Sequence, residues 1–213
     1  MKFFYIRPLR EEKLYHTCKR ALALVLLVPL GACVFDVKLQ PPVLSVSPIN
    51  DKNPVLLSIL GIEKFDRMEK DLSAMCIAQD YQLRTSNDAK QAIKTAFSSR
   101  FPGIKFDPAS TLPLEKITVT VDEVKMKLRC PPISSNTMVC RSDTRIKISA
   151  TMHRAGSKRE INVVNTARGI SEPGIHCSLG SEAMSESLSK SFEGALQKLI
   201  KDFHMPSRAG QNS

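Results

Sequence analysis

The sequence contains no tryptophan and only three tyrosines in 213 residues, and aromatic residues make up 6% of the chain. Proteins that hold single-stranded nucleic acids stack the bases on aromatic side chains. Nucleic acid is therefore not an expected partner, although the formal net charge is +10. The sequence also lacks zinc-ligand spacing, a phosphate-binding glycine loop and the G-x-S-x-G motif of hydrolases. It thus indicates no cofactor, no metal site and no enzyme.

A long apolar run is also missing. The apolar segment at residues 21–30 has ten residues, whereas a helix that crosses a bilayer needs about 20. Lys19 and Arg20 precede this segment and small residues follow it. That order is typical of a secretory signal peptide. The alternative interpretation is a short buried helix.

The segment ends in Leu30-Gly31-Ala32-Cys33, which resembles the lipobox of bacterial lipoproteins. The resemblance implies that the Cys33 thiol receives diacylglycerol and that the chain is cleaved before Cys33. The new amine would be acylated, for example with palmitate, and several acyl chains would form a permanent membrane anchor. Residues 1–32 would then be the signal peptide.

The residue after the lipidated cysteine acts as a sorting signal in lipoproteins of this kind. Aspartate there often retains the protein in the inner membrane. Here the residue is Val34. The resemblance therefore implies an outer-membrane protein that faces the periplasm.

The cysteine count predicts two disulfides in the exported chain. With Cys18 in the signal peptide and Cys33 lipidated, four cysteines are left in an oxidising compartment: Cys76, Cys130, Cys140 and Cys177. Cys130 and Cys140 lie on the apolar faces of two predicted strands that flank a proline-containing loop. This favours a Cys130–Cys140 bridge and leaves Cys76 to bond with Cys177. The alternative is that these cysteines are buried free thiols.

The mature chain is long enough for one domain with its own core. Residues 33–54 contain four prolines and are interpreted as a lipidated tether with a short edge strand at 43–47. A single periplasmic domain is predicted for 55–205, and a disordered tail for 206–213.

Hydrophobic periodicity predicts the elements of this domain. The predicted strands cover 55–60, 104–106, 114–130 with a bulge near Asp122, and then 143–153 and 158–168. Helical spacing appears at 61–79, at 86–101 with Ser86 or Asn87 as the N-terminal cap, and at 181–204. A turn is predicted at 154–157, where Gly156 suits a positive φ. These elements predict an α+β fold, with a mostly antiparallel sheet of four to five strands and two or three helices on one face.

The order of the elements resembles the YajG-type lipoproteins. The resemblance rests on the lipobox together with "LQPPVLSVSPI", "FPGIKF" and "LQKLIKDF". It implies an outer-membrane lipoprotein without catalytic residues.

Two short patterns could carry catalysis. Ser187 and Lys190 match S-x-x-K, but the partner motifs of penicillin-recognising enzymes are absent. His176 stands beside Cys177, but neighbouring residues of an extended segment point to opposite faces. Chance occurrence is the favoured interpretation of both, and His153 and His204 are expected on the surface.

The predicted hairpin of 114–130 and 143–153 is the strongest positive signal. Basic residues alternate there with apolar ones: Lys125, Lys127, Arg129, Arg141, Arg145 and Lys147. One sheet face would then be cationic and could bind lipopolysaccharide, another anionic glycan or an acidic protein. The favoured interpretation is a solvated face that protects the sheet from aggregation, since Glu123 and Asp143 could pair with these cations. The primary prediction is a non-catalytic structural or accessory lipoprotein of the envelope, with the anion-binding module as the alternative.

Overall fold

A computed structural model describes residues 34–49, 54–67, 69–73, 80–106, 115–154 and 157–202. The predicted lipobox, Cys76, His204 and the tail lie outside these residues. The strands are β1 Val34–Val37, β2 Val55–Leu60, β3 Glu69–Ser73, β4 Asp80–Leu83, β5 Ile104–Lys105, β6 Glu115–Arg129, β7 Pro132–Ser134, β8 Thr137–Met138, β9 Arg141–Arg154 and β10 Ser157–Ile170. The α-helices are α1 Ser86–Arg100 and α2 Ser178–Asp202.

The main sheet is mixed rather than mostly antiparallel. Its strand order is β10-β9-β6-β2-β5, and β3 lies beside β6 further along that strand. β9 runs antiparallel to both β10 and β6. In contrast, β2 is parallel to β5 and β6, and β3 is parallel to β6. The chain passes through α1 between β2 and β6, and such a crossover returns a strand in the parallel direction.

The two helices pack on one face of this sheet, as predicted. The side chains on this face of β6 and β9 are buried: Ile117, Val119, Val121, Val124, Met126, Leu128, Ile146, Ile148, Ala150 and Met152. They form one core with Ile93 and Phe97 of α1 and with Leu188 and Phe192 of α2. The other face of the two strands is partly or fully exposed.

Several predicted elements are confirmed. The strand 55–60, helix α1 and the long strands of the hairpin are present. The register of β6 against β9 shifts between Val121 and Glu123, where the bulge was predicted. The predicted turn at 154–157 includes 155–156, which lie outside the described residues.

The N-terminal cap of α1 differs from the prediction. The helix begins at Ser86, and the cap residue is Thr85. The Asp66 carboxylate accepts hydrogen bonds from the backbone N–H groups of Thr85, at 2.6 Å, and Ser86, at 2.9 Å. Asp66, twenty residues before Ser86, thus caps the helix in place of a side chain at its own N-terminus.

The predicted helix at 61–79 is wrong within the described residues. Gly61 has a φ of 71°, and a 3-10 helix covers only Ile62–Phe65. The chain then enters β3, which pairs with β6. Apolar spacing is compatible with helix or strand over such short stretches, and sheet pairing decides in favour of the strand.

Residues 34–49, predicted as part of a free tether, pack onto the domain instead. β1 pairs in parallel with β4, and Val37 and Leu39 are buried. The N–H groups of Lys38 and Gln40 donate to the hydroxyls of Ser185 and Ser189 on α2, each at 2.9 Å. Because serine hydroxyls on α2 accept these two hydrogen bonds, the residues that follow β1 need no neighbouring strand to satisfy their N–H groups.

Two further local predictions are wrong. No strand occurs at 43–47. Instead, the carbonyl of Ser47 accepts a hydrogen bond from the Arg100 guanidinium. The loop between the two bridged cysteines carries its own small hairpin of β7 and β8. Pro132 lies at the first position of β7, where a proline needs no ladder donor.

Candidate functional site

The predicted basic residues lie together on the exposed face of β6 and β9. Lys125 stands opposite Arg145 in the register, Lys127 opposite Asp143, and Lys147 opposite Glu123. Every cation in the predicted anion-binding set therefore lies on the predicted, exposed face of the sheet. Side chains on the opposite face of the same strands fill the core, so burial of that face fixes this orientation.

Acidic side chains neutralise much of this surface. The Glu123 carboxylate lies 3.9 Å from the Lys125 ammonium and 3.5 Å from the Arg145 guanidinium. The Asp143 carboxylate accepts a hydrogen bond from Arg168 on β10 at 2.8 Å. This bond, together with the Asp143 charge, raises the pKa of Arg168 above its ordinary value. The middle of the cationic face is thus a network of exposed ion pairs, which favours the solvated-surface interpretation there.

The end of the hairpin differs from its middle. Arg129 and Arg141 stand directly opposite each other across β6 and β9. Both are exposed, and neither has an ion pair among the described residues. Opposed like charges on a sheet repel each other, and an anion bridging them would relieve that repulsion. The best candidate for an anion site is therefore this arginine pair rather than the whole predicted set.

A disulfide closes the strands next to the arginine pair. Cys130 and Cys140 are bridged as predicted, with a Cα–Cα distance of 4.0 Å. Both are buried. Cys177 is also disulfide-bonded, and its predicted partner Cys76 lies outside the described residues. Because the Cys130–Cys140 bridge sits beside residues 129 and 141, it holds the two arginine backbones in one register.

The S-x-x-K pattern has no catalytic geometry. Ser187 is fully buried, and its hydroxyl lies 2.7 Å from that of Thr144 and 2.8 Å from that of Ser142. Lys190 is exposed and donates to the Glu186 carboxylate at 2.5 Å. The two side chains thus have separate partners. The sequence spacing of Ser187 and Lys190 does not reveal this hydroxyl cluster, because Ser142 and Thr144 come from strand β9.

The His176–Cys177 pattern also lacks the arrangement of a nucleophile and a base. Cys177 is in a disulfide, and His176 is exposed. The Cys177 carbonyl accepts a hydrogen bond from the Tyr81 hydroxyl at 3.0 Å. Burial raises the pKa of that hydroxyl. This contact joins β4 to the start of α2.

One open cavity of about 500 Å³ lies between the docked N-terminal segment and α1. Its lining combines apolar residues such as Leu39 and Pro42 with Asp88, Gln91 and Thr95 of the helix. Asp88 is the single titratable residue among the described residues that line it. The described residues contain no cluster of three or more His, Cys, Asp or Glu side chains suited to a metal ion.

Within the part of the chain that the structure covers, no helix has the length and apolarity needed to cross a membrane.

No family model matches the sequence, and no curated protein matches it significantly. Solved structures of three bacterial proteins are similar to this chain. A DUF330 protein from Xanthomonas campestris is 11% identical, with a TM-score of 0.42, and the match covers 79% of this chain and 93% of that one. Rare lipoprotein B from Shewanella oneidensis is 8% identical, with a TM-score of 0.37, and the match covers 70% of this chain and 92% of that one. A minor lipoprotein from Acinetobacter baumannii is 9% identical, with a TM-score of 0.30, and the match covers 71% of this chain and 87% of that one.

These similarities are too low to carry a functional argument. The three identities lie between 8% and 11%, and the TM-scores between 0.30 and 0.42. They do not show the YajG-type family, which stays a prediction from the sequence.

Proposed function

We propose that the protein is a lipoprotein of the bacterial envelope, anchored through Cys33 and facing the periplasm from the outer membrane, with a structural or accessory role. The observation that carries the proposal is the Leu30-Gly31-Ala32-Cys33 motif at the end of a signal-like apolar segment. Val34 in place of aspartate supports the outer membrane. The disulfide between Cys130 and Cys140 supports an oxidising compartment.

The surroundings of Ser187 and Cys177 support an accessory rather than an enzymatic role. The Ser187 side chain is buried, and Cys177 is in a disulfide. The arginine pair and the small hairpin are surface features of the kind that contact partners. The role is therefore expected to depend on binding.

Metabolic labelling with an alkyne fatty acid tests the anchor. Wild type is compared with Cys33→Ala, and Cys18→Ala serves as the matched control because that cysteine precedes the cleavage site. We expect labelling and outer-membrane fractionation for wild type and Cys18→Ala, and loss of both for Cys33→Ala. A soluble, unlabelled wild type would show that the motif ends an ordinary signal peptide.

A second candidate function, binding of an anionic envelope polymer, is favoured by one observation. Arg129 and Arg141 are opposed, exposed and without an ion pair among the described residues. Lipopolysaccharide phosphates are suitable ligands, since arginine binds phosphate through two parallel hydrogen bonds. Lys125 and Arg145 would contribute less because they share Glu123.

Binding of detergent-extracted protein to lipopolysaccharide tests this second function. The double variant Arg129→Glu with Arg141→Glu should lose binding at low salt. The matched control, Lys158→Glu with Arg159→Glu, makes the same charge change on exposed residues near the other end of β10. Equal loss in both variants would mean that net charge alone governs the interaction.

A further inference from the structure

Four large apolar side chains are exposed in one region of the domain. The exposed fractions are 50% for Val34, 62% for Ile133, 53% for Ile170 and 61% for Ile175. Exposed apolar groups that cluster in this way mark interaction surfaces. We call these four residues the apolar end of the domain.

The contacts of β1 place Val34 beside the start of α2. Phe35 packs on Tyr81, with ring centroids 5.8 Å apart, and the Tyr81 hydroxyl bonds to the carbonyl of Cys177. Further along, Lys38 and Gln40 contact Ser185 and Ser189. The segment therefore runs parallel to α2, and Val34 lies level with the residues that precede the helix.

The small hairpin reaches the same region. Met138 of β8 and Gly174 exchange two backbone hydrogen bonds of 2.8 and 3.0 Å. A shallow cavity of about 380 Å³ lies between the hairpin and Ile175. Ile133 is on that hairpin, between two residues that line this cavity, and Ile175 follows Gly174. Backbone pairing thus holds the hairpin beside Ile175.

Ile170 joins this region through the end of the main sheet. It stands in register with Arg141, and the next residue, Ser171, donates its N–H to the Cys140 carbonyl at 2.9 Å. The arginine pair, the disulfide and the apolar end therefore share one end of the domain.

The position of Val34 in the chain identifies the partner. Val34 directly follows Cys33 in the sequence. Because residues 34–40 are docked on the domain, no free tether separates the lipidated residue from the fold. An acyl anchor at Cys33 would hold the apolar end at the bilayer surface.

We propose that the apolar end lies against the phospholipid bilayer that holds the Cys33 anchor, with Ile133 and Ile175 in the interfacial region. This proposal rests on the lipid anchor proposed above. Isoleucine side chains at the boundary between headgroups and acyl chains remove apolar area from water. Arg129 and Arg141 would then face lipid phosphates. Asp80 and Glu172 are exposed at this end too, so apolar contact rather than net charge carries the proposal.

Site-specific photocrosslinking in cells tests the orientation. A benzophenone amino acid replaces Ile133 or Ile175 in the full-length protein. The matched control is Leu60, which is 51% exposed and lies in register with Thr120. Thr120 is nine residues along β6 from Arg129, which corresponds to about 30 Å of strand. Mass spectrometry locates lipid adducts on the peptide that carries the photoreactive residue and scores acylation of Cys33 on a separate peptide.

We expect phospholipid adducts at positions 133 and 175 and none above background at position 60. Resistance of Cys130 and Cys140 to alkylation shows that the disulfide has formed in each variant, resistance to limited proteolysis shows that the domain is folded, and Ile170 replaces Ile133 if the hairpin is disturbed. Acylated Cys33 without lipid adducts, or with adducts to another protein at 133 and 175, would overturn the orientation and leave the anchor intact. Absence of acylation would overturn both proposals.

Discussion

Arg129 and Arg141 face each other across β6 and β9, directly beside the disulfide that joins the same two strands. Like charges placed opposite each other on a sheet cost roughly 0.2–1 kcal/mol. No acidic side chain among the described residues forms an ion pair with either arginine. The arrangement thus gives up some stability and leaves two guanidinium groups exposed.

Reversing one charge of this pair should stabilise the domain. Arg141→Glu converts a repulsive cross-strand pair into an attractive one, and we expect a gain of a few tenths to about 1 kcal/mol in the free energy of unfolding. Arg145→Glu is the control, because it removes a contact to Glu123 and should destabilise slightly. Urea unfolding at low salt measures both. A loss of stability in Arg141→Glu would contradict the predicted repulsion.

Removal of the hairpin disulfide should destabilise the domain. The bridge closes a loop with a sequence separation of 10 residues, for which the chain-entropy estimate is about 3 kcal/mol. The double variant Cys130→Ala with Cys140→Ala leaves no single free thiol, and denaturant unfolding measures the loss. An unchanged midpoint would mean that strand pairing alone holds this end of the sheet.

Ser187 is predicted to be structural rather than nucleophilic. Ser187→Ala deprives the buried hydroxyls of Ser142 and Thr144 of a partner, and we expect a loss of about 1–3 kcal/mol in the free energy of unfolding. Ser99→Ala is the control, since its exposed hydroxyl bonds only to Thr95 of the same helix. Labelling of Ser187 by a serine-reactive probe in the folded protein would contradict this role.

The contribution of Glu186 should depend on pH. Hydrogen bonds from Lys190 and then from the backbone N–H of Ile170 lower the pKa of its carboxyl group. A lowered folded-state pKa means that stability is gained above the unfolded-state pKa and lost as the pH falls through the folded-state pKa. Glu186→Gln should therefore cost up to about 1 kcal/mol at neutral pH, since the side chain is partly exposed.

At a pH below the folded-state pKa, the difference between wild type and Glu186→Gln should disappear. Urea unfolding at several pH values measures this convergence. Glu182→Gln is the control, because Glu182 is exposed on the same helix and has no ion pair or hydrogen bond among the described residues. A pH-independent difference would show that the carboxylate charge contributes nothing.

The sequence by itself determined the elements whose signal is local. The apolar stripe of α2, from Met184 to Leu199, has helical spacing throughout and needs no partner to be recognised. The alternation along β6 and β9 put the basic residues on one face, the core on the other, and Cys130 and Cys140 on the buried side. Most of the candidate anion site was predictable for this reason.

Only the tertiary structure decided which of those cations are neutralised and where the N-terminal segment goes. Glu123 reaches Arg145 on another strand, and Asp143 bonds to Arg168. The pairing of β1 with β4 and the capping of α1 by Asp66 are also contacts between distant segments. Sequence periodicity reports the face of a residue but not its partner, because the partner is fixed by how the folded chain brings distant segments together.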